Sequence, residues 1–467
     1  MLRIFRQYYP IRNIFFVIGE SLFIYNSVLV ANWILSGWGH LFSDHWLFLK
    51  ILLIAFVCQA CLYYNDLYDL NVTDNFSELG VRLLQSLGCA AIFLSCIYLV
   101  FPQTIIRKGV FILSVGFAIL FIVSWRFCYT VILNRGMFNK KIIILGSSDL
   151  AKSIISEIAN RKDCGYTVAG IIAESYGSTE FKMKRIFPDD SAEFYEECCS
   201  SLCETAGKLG VEKIVVAPRE RRGAFSLEEL LKCRVEGIEV LEGNSFYEML
   251  TGRLLVDYIN PSWLIYSEGF AKNRTRRFMK RSMDFILSSI MLLILLPLII
   301  ITAILIKIDS RGPVLFSQER VGERKKTYRI HKFRSMVVNE GKSQTETDDV
   351  RITSVGKYIR KLHIDELPQL WNVLKGEMSI VGPRPEQEHF VEDFENKYKI
   401  PYYRERFTVK PGITGWAQIN YDYGAEAEGA KEKLTYDLFY IKNMSTFMDM
   451  LIMLRTVKTV LFTKGSR

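Results

Sequence analysis

Residues 285–306, FILSSIMLLILLPLIIITAILI, carry no charged side chain, and this run constrains the fold more than any other stretch of the chain. Its length is close to the ~20 residues a helix needs to cross the hydrocarbon layer. Its flanks are unusual because both are basic. Lys272, Arg274, Arg276, Arg277, Lys280 and Arg281 precede it, and Lys307, Arg311, Arg320, Arg324, Lys325 and Lys326 follow. Positive flanks favour the cytoplasmic side, so the charge pattern asks both ends to lie there. Pro297, near the middle, removes one helix hydrogen bond and bends the axis. Two readings stand: a re-entrant helix that enters the inner leaflet, breaks at Pro297 and returns, or a plain span with a tolerated kink. In either, basic flanks attract anionic headgroups by about 1 kcal/mol per residue near the surface.

At 467 residues the chain is long enough for several units. It is 50% hydrophobic yet 23% charged, so the apolar content must be concentrated in segments, the profile of a membrane protein with soluble parts. The net charge of +9 suits an acidic membrane surface, an anionic substrate or nucleic acid equally well. Four more apolar segments fall at 14–35, 46–64, 83–101 and 110–133. The first is too long for a signal-peptide core and lacks a small-residue cleavage pattern, so a retained span is expected. Arg3, Arg6 and Arg12 precede it, and the following loop has no Lys or Arg, which places the N-terminus in the cytoplasm. The next loop is acidic, with Asp66, Asp69, Asp74 and Glu78, and Arg107 with Lys108 runs against the bias. Four spans return the chain to the cytoplasm at Arg135, Lys140 and Lys141. The 10 cysteines all lie between Cys58 and Cys233. Neither Cys58-x-x-Cys61 nor Cys199-x-x-x-Cys203 is completed into a metal site, and reduced structural thiols are expected.

From Lys141 the pattern becomes KIIILGSSDLAKSIISEIAN: an apolar strand, a glycine turn, then a helix. VAGIIA, EKIVVAP and IEVLEG follow as strands, with a helix at 227–235 between the last two. This alternation predicts a parallel sheet with helices on its faces. A dinucleotide fingerprint needs three glycines, but only Gly146 is present, with Ser148 and Ala151 at the other places. NAD binding and a purely structural or regulatory Rossmann-like domain are the two readings, and the incomplete glycine set favours the second.

Beyond the fifth apolar run, HIDELPQLWNVLKGEMSIVGPRP places Asp365 and Glu366 side by side just before a proline. Residues 352–363 read as a helix with Ser354 as its N-cap. Leu367, preceding Pro368, is expected outside the helical region, and Pro368 suits the start of a second helix that Gly376 ends. The acids thus fall in the break, near a helix N-terminus that favours anions. Arg360 lies one to two turns back, and Arg384 is held in the rigid Gly-Pro-Arg-Pro segment. Magnesium typically combines one or two carboxylates with substrate phosphate oxygens, and the cluster is suited to that. An exposed acidic helix end paired with surface arginines is the alternative.

The strings GPVLFSQERVG, KFRSM, DELPQLWNVLKGEMSIVGPRPE and KPGITGWAQ, in that order, closely resemble the bacterial sugar transferases, polyprenyl-phosphate phosphoglycosyl transferases with a single re-entrant membrane helix. The likeness covers roughly Lys272 to the C-terminus. LTGRLLVDYINPSWLIYSEGF is similar, more weakly, to the large subgroup that starts exopolysaccharide or O-antigen repeat units. The resemblance implies a four-helix transmembrane domain (1–135), a Rossmann-like α/β domain (136–255), a linker (256–271) and a mainly α-helical catalytic domain (272–467) with its re-entrant helix at 285–306. It implies transfer of a sugar 1-phosphate from a UDP-sugar to polyprenyl (undecaprenyl) phosphate at the cytoplasmic face of the bacterial inner membrane, with release of UMP. Asp365 matches the nucleophile, which also contacts Mg2+, and Glu366 its supporting neighbour. Arg360 and Arg384 match phosphate-binding arginines, and Lys332, Arg334 and Glu386 are expected with them at the substrate. Lys280, Arg281 and Asp284 fit the family's Lys-Arg-x-x-Asp motif, which holds the helix at the interface and meets the lipid phosphate. One departure is Leu296, where some small members place Ser before the kink proline, so a hydroxyl able to satisfy the freed backbone group is missing. The expected partners are the two substrates and membrane lipid, with no nucleic acid; a homo-oligomer is allowed. Two rivals are a membrane-anchored NAD-dependent epimerase or dehydratase, disfavoured by the glycine set and the lack of a clear Tyr-x-x-x-Lys pair, and a non-catalytic assembly scaffold.

Overall fold

The computed structural model describes residues 2–4, 7–9, 11–37, 46–68, 76–106, 109–134, 139–161, 164–172, 181–185, 196–199, 201–218, 227–259, 261–266, 269–270, 273–337, 351–421 and 427–461. The basic pair Arg107 and Lys108, the acids Asp69 and Asp74, and Arg135 lie outside the described residues. Contacts divide the chain into two units, Met1–Arg3 with Tyr8–Phe246, and Ile4–Gln7 with Tyr247–Arg467. Among the described residues, five helices are long and apolar enough to cross a membrane.

Four of these belong to the first unit: α1 (Ile11–Ser36), α2 (Leu47–Tyr64), α3 (Phe76–Val100) and α4 (Val110–Asn134). Each is predominantly apolar, with few charged side chains. One face packs inward, through Ile24, Ile51, Leu62, Leu83 and Ile122, while Phe15, Leu52, Phe56, Ile92 and Leu120 stay exposed, as a lipid-facing surface requires. Gly19 lets α1 approach α4, because a Cβ there would lie 2.4 Å from the Trp125 ring. The next residue on each helix forms a buried ion pair, Glu20 with Arg126 at 2.8 Å, and Arg126 also donates to the Leu67 carbonyl at 2.7 Å. Charge inside an apolar bundle persists only where it is paired in this way.

The same unit contains a six-stranded sheet. β1 (Lys140–Leu145), α5 (Asp149–Asn160), β2 (Tyr166–Ile172), β3 (Phe181–Arg185), β4 (Glu196–Cys199), α6 (Leu202–Leu209), β5 (Lys213–Val216), α7 (Leu227–Val235) and β6 (Glu239–Glu242) follow in order. The strands are arranged β4-β3-β2-β1-β5-β6. β1 pairs in parallel with β2 and β5, and β5 with β6; β2–β3 and β3–β4 are antiparallel. Ile142, Ile143, Ile144 and Leu145 of β1 are fully buried, as a central parallel strand covered on both faces demands. Cys58, Cys61, Cys164, Cys203 and Cys233 are buried free thiols.

The second unit is built on α8 (Arg274–Asp309), which starts well before the expected 285 and runs as helix through Pro297. A hairpin follows, β7 (Leu315–Val321) antiparallel to β8 (Thr327–Phe333). Then come α9 (Ser354–Lys361), α10 (Gln369–Lys375), β9 (Ser379–Val381), its parallel partner β10 (Gly412–Thr414), and the helices α11 (Ala427–Asn443) and α12 (Thr446–Leu461). Val256 and Ile259, from the segment expected to be a linker, are buried in this unit's core beside Leu438 and Phe439. Apolar side chains on that segment make it part of the core.

Arg126→Leu would leave Glu20 buried and unpaired, an expected loss of about 3–5 kcal/mol, whereas Glu20→Leu with Arg126→Leu should recover most of it. Thermal unfolding of the detergent-solubilised variants checks this.

Candidate active site

Asp365 and Glu366 ride on a single 3-10 turn, Ile364–Glu366, between α9 and α10. The cap of α9 is Thr353, whose hydroxyl accepts the Gly356 N–H at 3.0 Å; Ser354, the expected cap, is the first helical residue. The chain turns at His363, which sits at φ 53°, and not before Pro368. Leu367 keeps helical angles, φ −56° and ψ −36°, against the expectation from the following proline. Its packing against the cluster of Ile306, Phe333 and Ile359 outweighs that local preference. Gly376 ends α10 in the left-handed region at φ 86°, as expected.

The two acids have different surroundings. Glu366 Oε1 accepts from Lys332 Nζ at 2.7 Å and from Arg384 at 3.0 Å, and the side chain is 12% exposed. Asp365 has no hydrogen bond or ion pair among the described residues, and Arg360 acts on it only through space. Burial would raise Glu366, but Arg384 and Lys332 outweigh it and hold its carboxyl well below the usual range. Burial and the negative charge of Glu366 push Asp365 from 3.8 up to about 6, opposed by Lys332, Arg384 and Arg360. The signs follow. Protonated Asp365 stabilises the fold below its unfolded pKa, and that contribution is lost as pH rises through about 6; ionised Glu366 stabilises it down to strongly acidic pH.

Arg384 is fixed by a backbone crossing. Gly382 N–H donates to the Thr414 carbonyl at 2.8 Å, and Gly412 N–H to the Pro383 carbonyl at 2.9 Å. A Cβ on Gly412 would lie 2.1 Å from Gly382 N, and one on Gly382 would lie 2.5 Å from the Lys410 carbonyl. The Gly-Pro-Arg-Pro and Pro-Gly-Ile-Thr-Gly strings are thus two halves of one contact that only glycine permits. Behind it, buried Arg406 donates to the Arg384 carbonyl at 2.8 Å, to Asp437 at 2.8 Å and to the Tyr403 hydroxyl at 2.9 Å.

The structure thus brings Asp365, Glu366, Lys332, Arg384 and Arg360 together. Arg334 is not at the acid pair: its guanidinium donates to the Ser310 carbonyl at 2.7 Å and the Arg311 carbonyl at 3.1 Å, fastening the end of α8. Glu386 lies 3.6 Å from Arg406. Lys280 bonds Asp449 at 2.8 Å, Arg281 bonds the Val373 and Leu374 carbonyls, and Asp284 accepts from Ser379 Oγ at 2.8 Å and Ile380 N at 3.2 Å. These three groups anchor the helix through their bonds to the protein. Pro297 sits in the apolar part of α8. Sequence reasoning missed Arg406 and Arg320. Arg320 donates to Gln318 at 2.7 Å and to the Pro385 carbonyl at 3.3 Å, while its Nε is buried without a partner among the described residues. Its place inside the quoted string QERVG was the available signal; Arg406 had none.

Among the described residues no group of three or more His, Cys, Asp or Glu side chains could hold a metal by itself. One free carboxylate beside several cations instead fits magnesium held jointly with substrate phosphates.

The family model described as bacterial sugar transferase matches residues 275–463, which contain all of these groups. Across 332 residues, 69% of this chain, it is 32% identical to the UDP-glucose:undecaprenyl-phosphate glucose-1-phosphate transferase of Klebsiella pneumoniae, covering 68% of that protein. The chain belongs to the bacterial sugar transferase family. It is also 43% identical over 265 residues, 56% of this chain, to the UDP-N-acetylgalactosamine-undecaprenyl-phosphate N-acetylgalactosaminephosphotransferase of Aeromonas hydrophila, spanning 62% of that protein's length. To the undecaprenyl-phosphate galactose phosphotransferase of Salmonella typhimurium it is 28% identical over 376 residues, 75% of this chain and 74% of that protein.

The difference between the acids is measurable. A hydrophobic carbodiimide reacts with protonated carboxyls, so in metal-free buffer it should modify Asp365 below about pH 6 and progressively less above. Glu366→Gln removes the negative neighbour and should move that midpoint to lower pH, read by peptide mass spectrometry.

Proposed function

We propose that this enzyme transfers a sugar 1-phosphate from a UDP-sugar to polyprenyl (undecaprenyl) phosphate as the first membrane step of exopolysaccharide, O-antigen or capsule synthesis. The observation that carries the reading is the carboxylate of Asp365, unpaired among the described residues, beside a Glu366 neutralised by Lys332 and Arg384, inside the family segment. An Asp365 oxygen attacks the sugar-proximal phosphorus. The bond from that phosphorus to the bridging oxygen breaks, UMP leaves with the electron pair, and an aspartyl phosphosugar forms. A polyprenyl phosphate oxygen then attacks the same phosphorus, and Asp365 departs as carboxylate. Glu366 keeps Lys332 and Arg384 in place, and Arg360 and Arg384 face the charge on the oxygens in flight. Magnesium, if held by Asp365, would supply further neutralisation of that charge. The relatives' names carry three different sugars, so the donor sugar is a matter for assay.

Site and membrane meet through α8, which we read as re-entrant. Its Arg281 is bonded to the C-terminal end of α10, and its Ile306 belongs to the apolar cluster, with Phe333 and Ile359, against which Leu367 packs just before the start of α10. A straight helix would separate residues 281 and 306 by ~38 Å, whereas residues 367 and 374 lie ~10 Å apart along α10. A sharp bend at Pro297 reconciles the two, with both ends on the cytoplasmic side of the inner membrane. We read the α/β part of the first unit as a Rossmann-like scaffold without a dinucleotide. Gly146 is explained by the Ala217 carbonyl, which a Cβ would approach to 2.1 Å, and Ser148 is taken up by capping α5 and bonding Ala217 at 2.7 Å.

Enzyme mixed with UDP-sugar and magnesium but no polyprenyl phosphate should release UMP up to about one equivalent per site and keep the phosphosugar bound covalently. Adding the lipid should discharge it. Asp365→Asn should abolish both burst and turnover. Release of UMP only when both substrates are present would instead favour direct transfer.

A further inference from the structure

A second basic cavity lies away from the acid pair. It has a volume of about 460 Å³ and is lined by Phe270, Arg277, Glu323, Arg324, Lys325 and Arg404, with Phe407 and Thr408. It sits at the closed tip of the β7–β8 hairpin. Lys332, which meets Glu366, is near the other end of β8, about five residues or ~17 Å from Thr327. Three separate segments build the cavity: the start of α8, the hairpin tip and the turn Tyr403–Thr408. Arg324 and Lys325 both hold left-handed angles, φ 56° and 60°, which are uncommon for side chains of this size.

The charges inside are unevenly matched. Glu395, 9% exposed, accepts from Lys325 at 2.7 Å and lies 3.5 Å from Arg404. Arg277 and Arg324 have no hydrogen-bond or ion-pair partner for their guanidinium groups among the described residues. Two open guanidinium groups with aromatic walls suit a singly or doubly charged phosphate ester, because a guanidinium fork matches phosphate oxygens. Position favours a lipid as the source. Arg277 lies two turns before Phe285, ~12 Å along the axis from the start of the apolar run, within reach of headgroups for its long side chain on a tilted helix.

We propose that this cavity is a stoichiometric site for the phosphate headgroup of an anionic phospholipid, separate from the transfer site. The proposal depends on α8 lying in a bilayer and not on the transfer chemistry. It differs from diffuse attraction to basic flanks in requiring a built pocket that saturates.

The test uses the full chain in nanodiscs of phosphatidylcholine doped with spin-labelled phosphatidylglycerol, with the restricted-mobility lipid counted by electron paramagnetic resonance. Saturation near one tightly held lipid per chain is expected, with binding about tenfold weaker in Arg277→Gln and weaker still in Arg277→Gln/Arg324→Gln. Arg277 is exposed on a helix surface, so the single variant tests the idea even where the double variant fails to fold. Equal retention by wild type and Arg277→Gln, or a count that rises without saturating, would overturn the proposal in favour of diffuse attraction. A soluble glycerol phosphate that displaces the spin-labelled lipid at equal concentration would overturn the lipid assignment and make this a site for a soluble phosphate ester.

Discussion

Asp284 is 2% exposed, lies on the membrane helix, and accepts from the hydroxyl of Ser379 and the N–H of Ile380. The rest of the catalytic unit depends on this buried carboxylate. Lys280 stands 3.9 Å from it and bridges to Asp449, which also takes the Tyr440 hydroxyl at 2.8 Å. The helix start is thereby fastened to the strand that leads into Gly382, Pro383 and Arg384. At the other end Asp309 caps α9 through the Val355 N–H at 3.0 Å, and Arg334 holds Ser310 and Arg311. α9 leads into the turn that carries Asp365. Both arms of the site are therefore hung from the two ends of one helix, so a change in its path would move Arg384 and Asp365 relative to each other.

With that frame fixed, unequal partners give the two adjacent acids different properties. Glu366 takes Lys332 and Arg384 and stays charged, while Asp365 has no hydrogen-bond or ion-pair partner among the described residues and keeps its negative neighbour. An unpaired carboxylate is more nucleophilic than one held by two hydrogen bonds, and keeping it ionised at neutral pH costs stability, as functional groups often do.

Much of this was legible in the sequence, for identifiable reasons. The apolar spans, the parallel strands and the stop at Gly376 follow from length, period and backbone freedom, which are local properties. What misled was local reasoning about groups with distant partners. Leu367 obeyed its packing against the cluster of Ile306, Phe333 and Ile359 rather than the proline beside it. A basic side chain announces its charge but not its target. Arg334, expected at the substrate, found the carbonyls of Ser310 and Arg311, and Arg281 those at the end of α10. Arg406 was invisible because its partners Arg384 and Asp437 lie 22 and 31 residues away, with no motif marking the triplet.

The central claim is that α8 enters and leaves the membrane on one side. Single cysteines at Thr275 and at Arg311, in a chain whose native cysteines are replaced, test it with a membrane-impermeant thiol reagent applied to intact cells. The account predicts that neither site is labelled from outside and that both are labelled once the membrane is permeabilised. Labelling of either one from outside in intact cells would contradict it and establish a spanning helix.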